Sequence, residues 1–480
     1  MRRGVSGARA GAARGWPPDG LLGVCAGAPR AKGGSAITVR EKALAILSRV
    51  DRGGAYADIL LDRALGGKDF PDPRDRGLLT ELVMGTLRRR GTLDLSFSPF
   101  LSRPIEKTDA VVRNALRLGA YQLIFTRIPE RVALFETVAC VKRVRGEKPA
   151  GLVNAVLRAV VRAGKSPILP QDGLPRKAAE LSVPLHLLTA LIRSLGEEEA
   201  FAFLASSLEK PPFVVRANRF RSSREALLSR LSAAGMEPRP CRYAEDGIII
   251  GKPGLVHADR GFRSGDYLVM DEGAQLIAPL LSPREGESVL DACAAPGGKA
   301  THLAALCMGK AGIVAADASA AREKTLRDTA SRLGATGMTT AVHDFSKGPL
   351  PGFEEKFDRV LVDAPCTGMG VIRRNPDAKW RFRPDDPERM AGLQRSILRG
   401  AFASLAPGGI LLYSTCSPLR QENEEVVKAF REETGAAILG REAAGNWPGP
   451  PDAWTPEGFV RLVPHRHGTD GFFAALLRKG

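Results

Sequence analysis

The 480-residue chain lacks any apolar run of the roughly 18 residues that a membrane-spanning helix needs, so an association with the bilayer is not expected. Cysteine is sparse: seven residues, at 25, 140, 241, 293, 307, 366 and 416, with no CxxC pair, and the six histidines are scattered. That excludes a zinc site of ordinary spacing and the cysteine density of a small secreted domain; free thiols in a reducing cytoplasm are expected, with no bound metal. No GxxxxGK[ST] can be written through the chain, which removes a Walker A loop, and no GxGxxG accompanies the strand–loop–helix motif described below, which argues against a dinucleotide. Acid is also short: 53 Asp and Glu face 70 Lys and Arg, a net charge of +17. The first 34 residues hold six of those cations and one acid, so +12 remains for the rest, as a phosphate-rich partner would require.

The length calls for two or three domains. Residues 1–34, rich in Arg, Gly, Ala and Pro, read as a disordered basic extension without the h-region of a signal peptide; an over-extended start is the simplest account. Residues 35–165 repeat apolar positions at three- and four-residue spacing, with helix starts at Asp72-Pro73 and near Asp109, and predict an all-helical bundle. Arg88, Arg89, Arg90, Lys142, Arg143, Arg158 and Arg162 make basic clusters on it. A solvated face explains any one of them as well as RNA contact does. Within the bundle, RDRGLLTELVMGTLRRRGTLD, LRLGAYQLIF and VNAVLR resemble the antitermination-factor NusB fold, an RNA-binding module. Residues 166–255 mix helices and short strands, a small α/β linking domain. From 256 to 480 strands alternate with helices and end in a hairpin, predicting a Rossmann-like, seven-stranded, mostly parallel sheet with one reversed strand.

The stretch Val289–Ala300, VLDACAAPGGKA, is a strand that runs into a tight loop and then a helix. Ligands of such sheets sit beyond the carboxyl ends of the strands, and a glycine-rich loop lets backbone approach them. Four acids end successive strands: Asp291, Asp317, Asp344 and Asp363. Two cysteines follow strand ends, Cys366 after Asp363 and Cys416 in Tyr413–Ser417. One such acid is usually a cap or turn residue, but four acids and two thiols on one edge point to a site. A thiolate is the nucleophile proteins use for covalent intermediates, and the residues alone do not say which cysteine attacks. Cys140, Cys241 and Cys307 read as inert buried thiols, and Cys293 as a source of backbone contacts. The loop 371–383 mixes Arg373, Arg374, Lys379, Arg381 and Arg383 with Trp380 and Phe382, which suits phosphate contact and base stacking.

VLDACAAPGGKATHLA, VLVDAPCTGMGVIRRNPDAKW, GGILLYSTCSPLRQENEEVV and HGTDGFFAALLR resemble the RNA cytosine-C5 methyltransferases, and the NusB-like segment narrows this to the Sun/Fmu branch, which acts on small-subunit ribosomal RNA. The resemblance implies transfer of a methyl group from S-adenosylmethionine to C5 of a cytosine in 16S rRNA, before the subunit is fully assembled, by a cytoplasmic monomer. It implies cofactor contacts from Cys293, Ala294, Ala295, Pro296, Gly297, Gly298 and Lys299, with Asp317 on the ribose, Asp344 near the adenine, and Asp363 between cofactor and base. Cys416 corresponds to the nucleophile and Cys366 to the cysteine that assists release. Transfer RNA as substrate, or a non-catalytic assembly or antitermination factor, are the competing expectations. The chain departs from the family pattern at Met270-Asp271-Glu272 and at His343 before Asp344, and the segment Gly445–Pro456 has no assignment.

Overall fold

The computed structural model describes residues 37–53, 55–67 and 69–480, so the expected basic extension lies outside the described residues. The N-terminal domain contains helices α1 (Val39–Asp51), α2 (Ala57–Gly66), α3 (Pro73–Arg88), α4 (Arg90–Phe97), α5 (Ala110–Phe125), α6 (Glu130–Arg145) and α7 (Glu147–Arg162). Local chemistry sets the starts: Thr38 and Glu41 form a capping box on α1, Asp72 caps α3 with Pro73 at its first position, and Asp109 accepts from the backbones of Val111 and Val112 on α5. Helix α5 is buried nearly all round, with α1, α3, α6 and α7 packed against it.

Helices α8 (Gly173–Glu180), α9 (Leu185–Leu195) and α10 (Glu197–Ser206) come next, then β1 (Phe213–Ala217), α11 (Arg224–Ala233), β2 (Pro238–Pro240), β3 (Gly247–Ile250), α12 (Arg260–Ser264) and β4 (Tyr267–Val269). The four strands form an antiparallel sheet in the order β2-β3-β1-β4. Strand β4 lies beyond residue 255 in sequence yet pairs with β1, so this sheet draws on chain past that point. Helices α8–α10 take a different partner. Leu181, Leu187, Leu188, Leu191 and Phe203 pack on Met369, Ile372, Phe382 and Leu419 of the C-terminal domain. No single described helix is long and apolar enough to cross a membrane; α8 and α9 qualify by composition only as a pair bent by 99°.

The C-terminal domain follows short helices α13 (Glu272–Gln275) and α14 (Ile277–Leu281). Its elements are β5 (Ser288–Asp291), α15 (Gly298–Leu306), β6 (Gly312–Asp317), α16 (Ala320–Leu333), β7 (Met338–Val342), β8 (Phe357–Asp363), α17 (Asp386–Ala403), β9 (Leu405–Thr415), α18 (Glu424–Thr434), β10 (Ala437–Leu439), β11 (Phe459–Leu462) and β12 (Phe472–Arg478). Strands β7-β6-β5-β8-β9 are parallel neighbours and β12 runs against β9. The expected count of seven strands needs one correction. There are eight, because the seven residues of β12 are long enough to pair with β10 at one end and β11 at the other. Seven lateral positions and one reversed strand remain. The chain leaves β5 toward β7 and returns on the other side to β8, so a crevice opens beyond the ends of β5 and β8.

Candidate active site

Strand order lays the expected residues out as a line along the carboxyl edge: Cys416 after β9, Asp363 and Cys366 after β8, Asp291 and the loop to Lys299 after β5, Asp317 at the end of β6, Asp344 beyond β7. The sharpest contact is between thiols. Cys366 Sγ and Cys416 Sγ are 3.4 Å apart in an S–H···S hydrogen bond, though 50 residues separate them in sequence. That bond first, and burial second, hold the Cys366 thiol well above its ordinary value.

Beside them Lys299 Nζ donates to Asp363 Oδ2 at 2.6 Å and lies 5.2 Å from the Phe472 ring centroid. Burial alone would strip its proton. Asp363 against it, with the charges of Cys416 and Asp291 near, instead raises it above the usual lysine value. A buried, firmly protonated ammonium therefore stands beside the Cys416 sulfur. Ser414 Oγ donates to the other oxygen of Asp363 at 2.8 Å, which fixes the carboxylate between thiols and loop.

The loop turns tightly. Gly297 has φ +107°, a conformation L side chains rarely adopt, and donates to Ala294 O at 2.8 Å. Ala294 N donates to Ala316 O on β6 at 2.9 Å, so the loop is pinned across the sheet edge. Cys293 N donates to Asp291 Oδ1 at 3.3 Å. Burial and the charges of Asp291, Asp317 and Asp363 push the Cys293 thiol well up, leaving a poor nucleophile. Asp291 is fully buried, and its Oδ2 has no hydrogen-bond partner among the described residues. Burial and the Asp363 charge push it up to about 8. Asp317 pairs with Arg322 at 3.2 Å and accepts from Ser319 N. Asp344 caps the turn that follows it, accepting from Ser346 N at 3.1 Å and Ser346 Oγ at 2.6 Å.

Sequence reasoning passed over the groups that hold the thiols. Glu422, fully buried, accepts from Thr367 N at 2.7 Å, Thr367 Oγ1 at 2.6 Å, Gln394 Nε2 at 3.3 Å and Ser417 Oγ. Asn423 accepts from Thr415 Oγ1 at 2.6 Å and donates to Ser417 O at 2.7 Å. Gly370 N donates to the Cys416 carbonyl at 2.8 Å, and a Cβ there would fall 2.3 Å from Gly471 O and 2.7 Å from Cys416 O. The signal was present in RQENEE, which directly follows the Cys416 motif in sequence.

The basic loop 371–383 does not have the exposure expected of it. Lys379 is fully buried and donates to Arg88 O and Ser182 O, each at 3.0 Å; Trp380 Nε1 donates to Leu87 O at 2.9 Å. Phe382 is buried against α8–α10 and stacks on His186 at 5.9 Å. Arg374 bridges Asp271 and Asp470, Arg373 donates to Gly468 O at 3.0 Å, and Arg381 pairs with Asp377. Arg383 alone of the loop's cations is exposed. This segment is therefore a seam between the helical domain and the thiol loop, and its aromatic rings are spent on packing. The cluster at α3–α4 joins the same seam: Arg88 donates to Arg373 O at 3.1 Å, Arg89 covers Phe125, and Arg90 covers Trp380 and pairs with Asp51 at 3.4 Å. Gly445–Pro456 also finds a place, with Trp447 Nε1 donating to Leu276 O at 2.8 Å and packing against Trp454. Cys140, Cys241 and Cys307 are buried, and no group of three or more His, Cys, Asp or Glu side chains among the described residues could hold a metal ion.

With this geometry in hand, comparison with known proteins is direct. Residues 278–478 match the family model described as 16S rRNA methyltransferase RsmB/F, residues 37–162 match the NusB family, and residues 183–257 match the ferredoxin-like domain of RsmF/B-like methyltransferases. A probable ribosomal RNA small subunit methyltransferase B of Bacillus subtilis is 37% identical over 445 residues, 92% of this chain and 99% of the relative. The ribosomal RNA small subunit methyltransferase B of Pseudomonas putida is 38% identical over 415 residues, 86% of this chain and 92% of its own. Among solved structures, PH0851 superposes with a TM-score of 0.80 at 27% identity, covering 93% of this chain and all of its own. NSun6 from Pyrococcus horikoshii, solved with SFG, shares the fold at a TM-score of 0.55 and 23% identity, covering 62% of this chain and 98% of its own.

Proposed function

Because this chain belongs to the 16S rRNA methyltransferase RsmB/F family and is an RNA methyltransferase, we propose that it methylates C5 of a cytosine in 16S rRNA through a covalent bond from Cys416 to C6. The observation that carries this reading is the pair of thiols 3.4 Å apart at the mouth of the β5–β8 crevice, beside Lys299 and Asp363. Cytosine C5 is too electron-poor to take a methyl group unaided. Addition of the Cys416 thiolate to C6 moves the C5–C6 electron pair onto C5 as an enamine. After C5 has been alkylated, its proton passes to solvent water at the site, the C5–H electron pair re-forms the C5–C6 double bond, and the Cys416 thiolate leaves C6, restoring the ring. Lys299 sets a positive charge beside the attacking sulfur, and Asp363, held by Ser414 and Lys299, orients the base. Cys366, 3.4 Å from Cys416 and with its thiol held well above its ordinary value, assists the release step.

S-adenosylmethionine, when bound, supplies an electrophilic methyl group. The residues fit it. The orphaned Oδ2 of Asp291 is a buried acceptor suited to a cationic ligand, and Asp317 stands at the end of the neighbouring strand for ribose hydroxyls. The loop Cys293–Lys299 supplies backbone, and Asp344 lies one strand farther out, toward the adenine. The target base must leave its stack to reach the thiols.

Methyl transfer to 16S rRNA, read by mass mapping of the product, tests the proposal. Cys416→Ala should abolish transfer, and Cys366→Ala should accumulate a protein–RNA adduct on a denaturing gel. Full activity in Cys416→Ala would remove the nucleophile, and methylation at a position other than cytosine C5 would remove the reaction.

A further inference from the structure

We infer that Glu422 is the positioning residue that keeps Cys366 in register with Cys416, and that the release half of the reaction depends on it. This rests on the covalent reading above and names a residue that reading does not use.

The two thiols come from the loops after neighbouring strands β8 and β9, whose pairing ends at Asp363 and Ala364 against Ser414, two residues short of each cysteine. One buried carboxylate spans the two loops. It accepts from the residue following each cysteine: Thr367, through backbone N at 2.7 Å and Oγ1 at 2.6 Å, and Ser417 through Oγ. Thr367 Oγ1 and Ser417 Oγ are themselves 3.3 Å apart. The residue preceding Cys366 is tied in as well, because Gln394 Nε2 donates both to Pro365 O at 2.9 Å and to Glu422 Oε1 at 3.3 Å. Every group bonded to Glu422 is a neutral donor. A carboxylate with no exposure and no bonded cation is costly to bury, and such a cost is kept where hydrogen bonds fix a functional geometry.

The dependence falls mainly on Cys366. The Cys416 loop has anchors of its own, since Asn423 holds Thr415 and the carbonyl of Ser417; the bond from Gly370 N to the Cys416 carbonyl joins the two loops four residues beyond Cys366. The Cys366 flanks, Pro365 and Thr367, rest on Gln394 and Glu422. Removing the carboxylate therefore loosens the releasing thiol more than the attacking one. A positioned group displaced by about 1 Å loses on the order of 100-fold in rate.

The test uses the full-length protein and 16S rRNA, comparing wild type, Cys366→Ala, Glu422→Ala and Glu422→Gln. Adduct is read on denaturing gels, turnover by methyl incorporation, and folding by thermal unfolding. Glu422→Ala should accumulate adduct as Cys366→Ala does, with turnover down on the order of 100-fold. Glu422→Gln keeps an acceptor for Thr367 N–H and should fall between the two. If Glu422→Ala does not fold, the near-isosteric Gln variant carries the same reading. A purely structural glutamate would lower stability and slow attack and release together, without accumulation; that pattern, or release at the wild-type rate, overturns the inference. An adduct trapped by Cys366→Ala but by neither Glu422 variant refutes Glu422 alone, whereas no adduct even with Cys366→Ala refutes the covalent reading itself.

Discussion

Replacing Asp291 by Asn should make the cofactor-free protein more stable, by an amount that grows with pH. Burial and the neighbouring Asp363 push this carboxyl up to about 8 in the fold, against about 3.9 for an aspartate in an unfolded chain. Between those values the folded state holds a proton that the unfolded chain has lost, so stability falls as pH climbs through the window. At about 1.4 kcal/mol per pH unit, the cost reaches about 4 kcal/mol at pH 7 and about 6 kcal/mol above pH 8. The amide has no charge to bury and can still accept from Cys293 N. Thermal unfolding of wild type and Asp291→Asn from pH 5 to pH 8.5 should show the variant's advantage widening by on the order of 10 °C. An advantage that stays constant or shrinks as pH rises would refute the argument, because a carboxyl already ionised at pH 5 costs the fold nothing extra at pH 8.

Two further outcomes follow from groups around the thiols. Gly370→Ala places a Cβ against the backbone oxygens of Gly471 and Cys416, contacts that cannot be relieved by a rotamer. Methyl transfer should drop on the order of 100-fold while the fold loses about 1–3 kcal/mol; wild-type turnover would show that the Cys416 carbonyl can move freely. Lys379, pushed down to about 7 by burial, with Arg88 and Arg89 adding to the effect, titrates with the opposite sign to Asp291. The unfolded chain holds its proton up to about pH 10.4, so wild type should gain stability between pH 7 and pH 10 relative to Lys379→Met. Parallel stability curves for the two proteins across that range would exclude a buried amine at the seam.

Much of the frame was legible because it rests on local chemistry. Helical spacing, the caps at Asp72 and Asp109, and acids at the ends of β5, β6 and β8 are properties of short windows. The tight turn from Cys293 to Lys299 was likewise legible through adjacent glycines between a strand and a helix. What escaped depends on partners far away in sequence. The loop 371–383 has the composition of an RNA-contact segment, yet its fate was decided by carbonyls at Leu87, Arg88 and Ser182, which no local pattern reveals. Glu422 carries no local sign of its role, and only the fold shows that its neighbours are the residues after the two cysteines. Strand β10 has three residues and forms because β12 offers an open edge beside β11.

The seam explains why a lysine persists where an apolar side chain would fit the burial better. Lys379 has no carboxylate within hydrogen-bond reach; its two bonds go to main-chain carbonyls, one at the junction of α3 and α4 and one in the turn after α8. Ser182 repeats the pattern from the other side, its Oγ accepting from Gly91 N at 3.0 Å while its carbonyl receives Lys379. Apolar packing alone would tolerate a helical domain shifted by part of a turn, since hydrophobic contact has no direction. Directional bonds from one buried amine to two separate backbones admit a single register. The thiol loop begins thirteen positions before Lys379 and is threaded through the same packed layer by Met369 and Ile372. The helical domain is thereby fixed relative to Cys366.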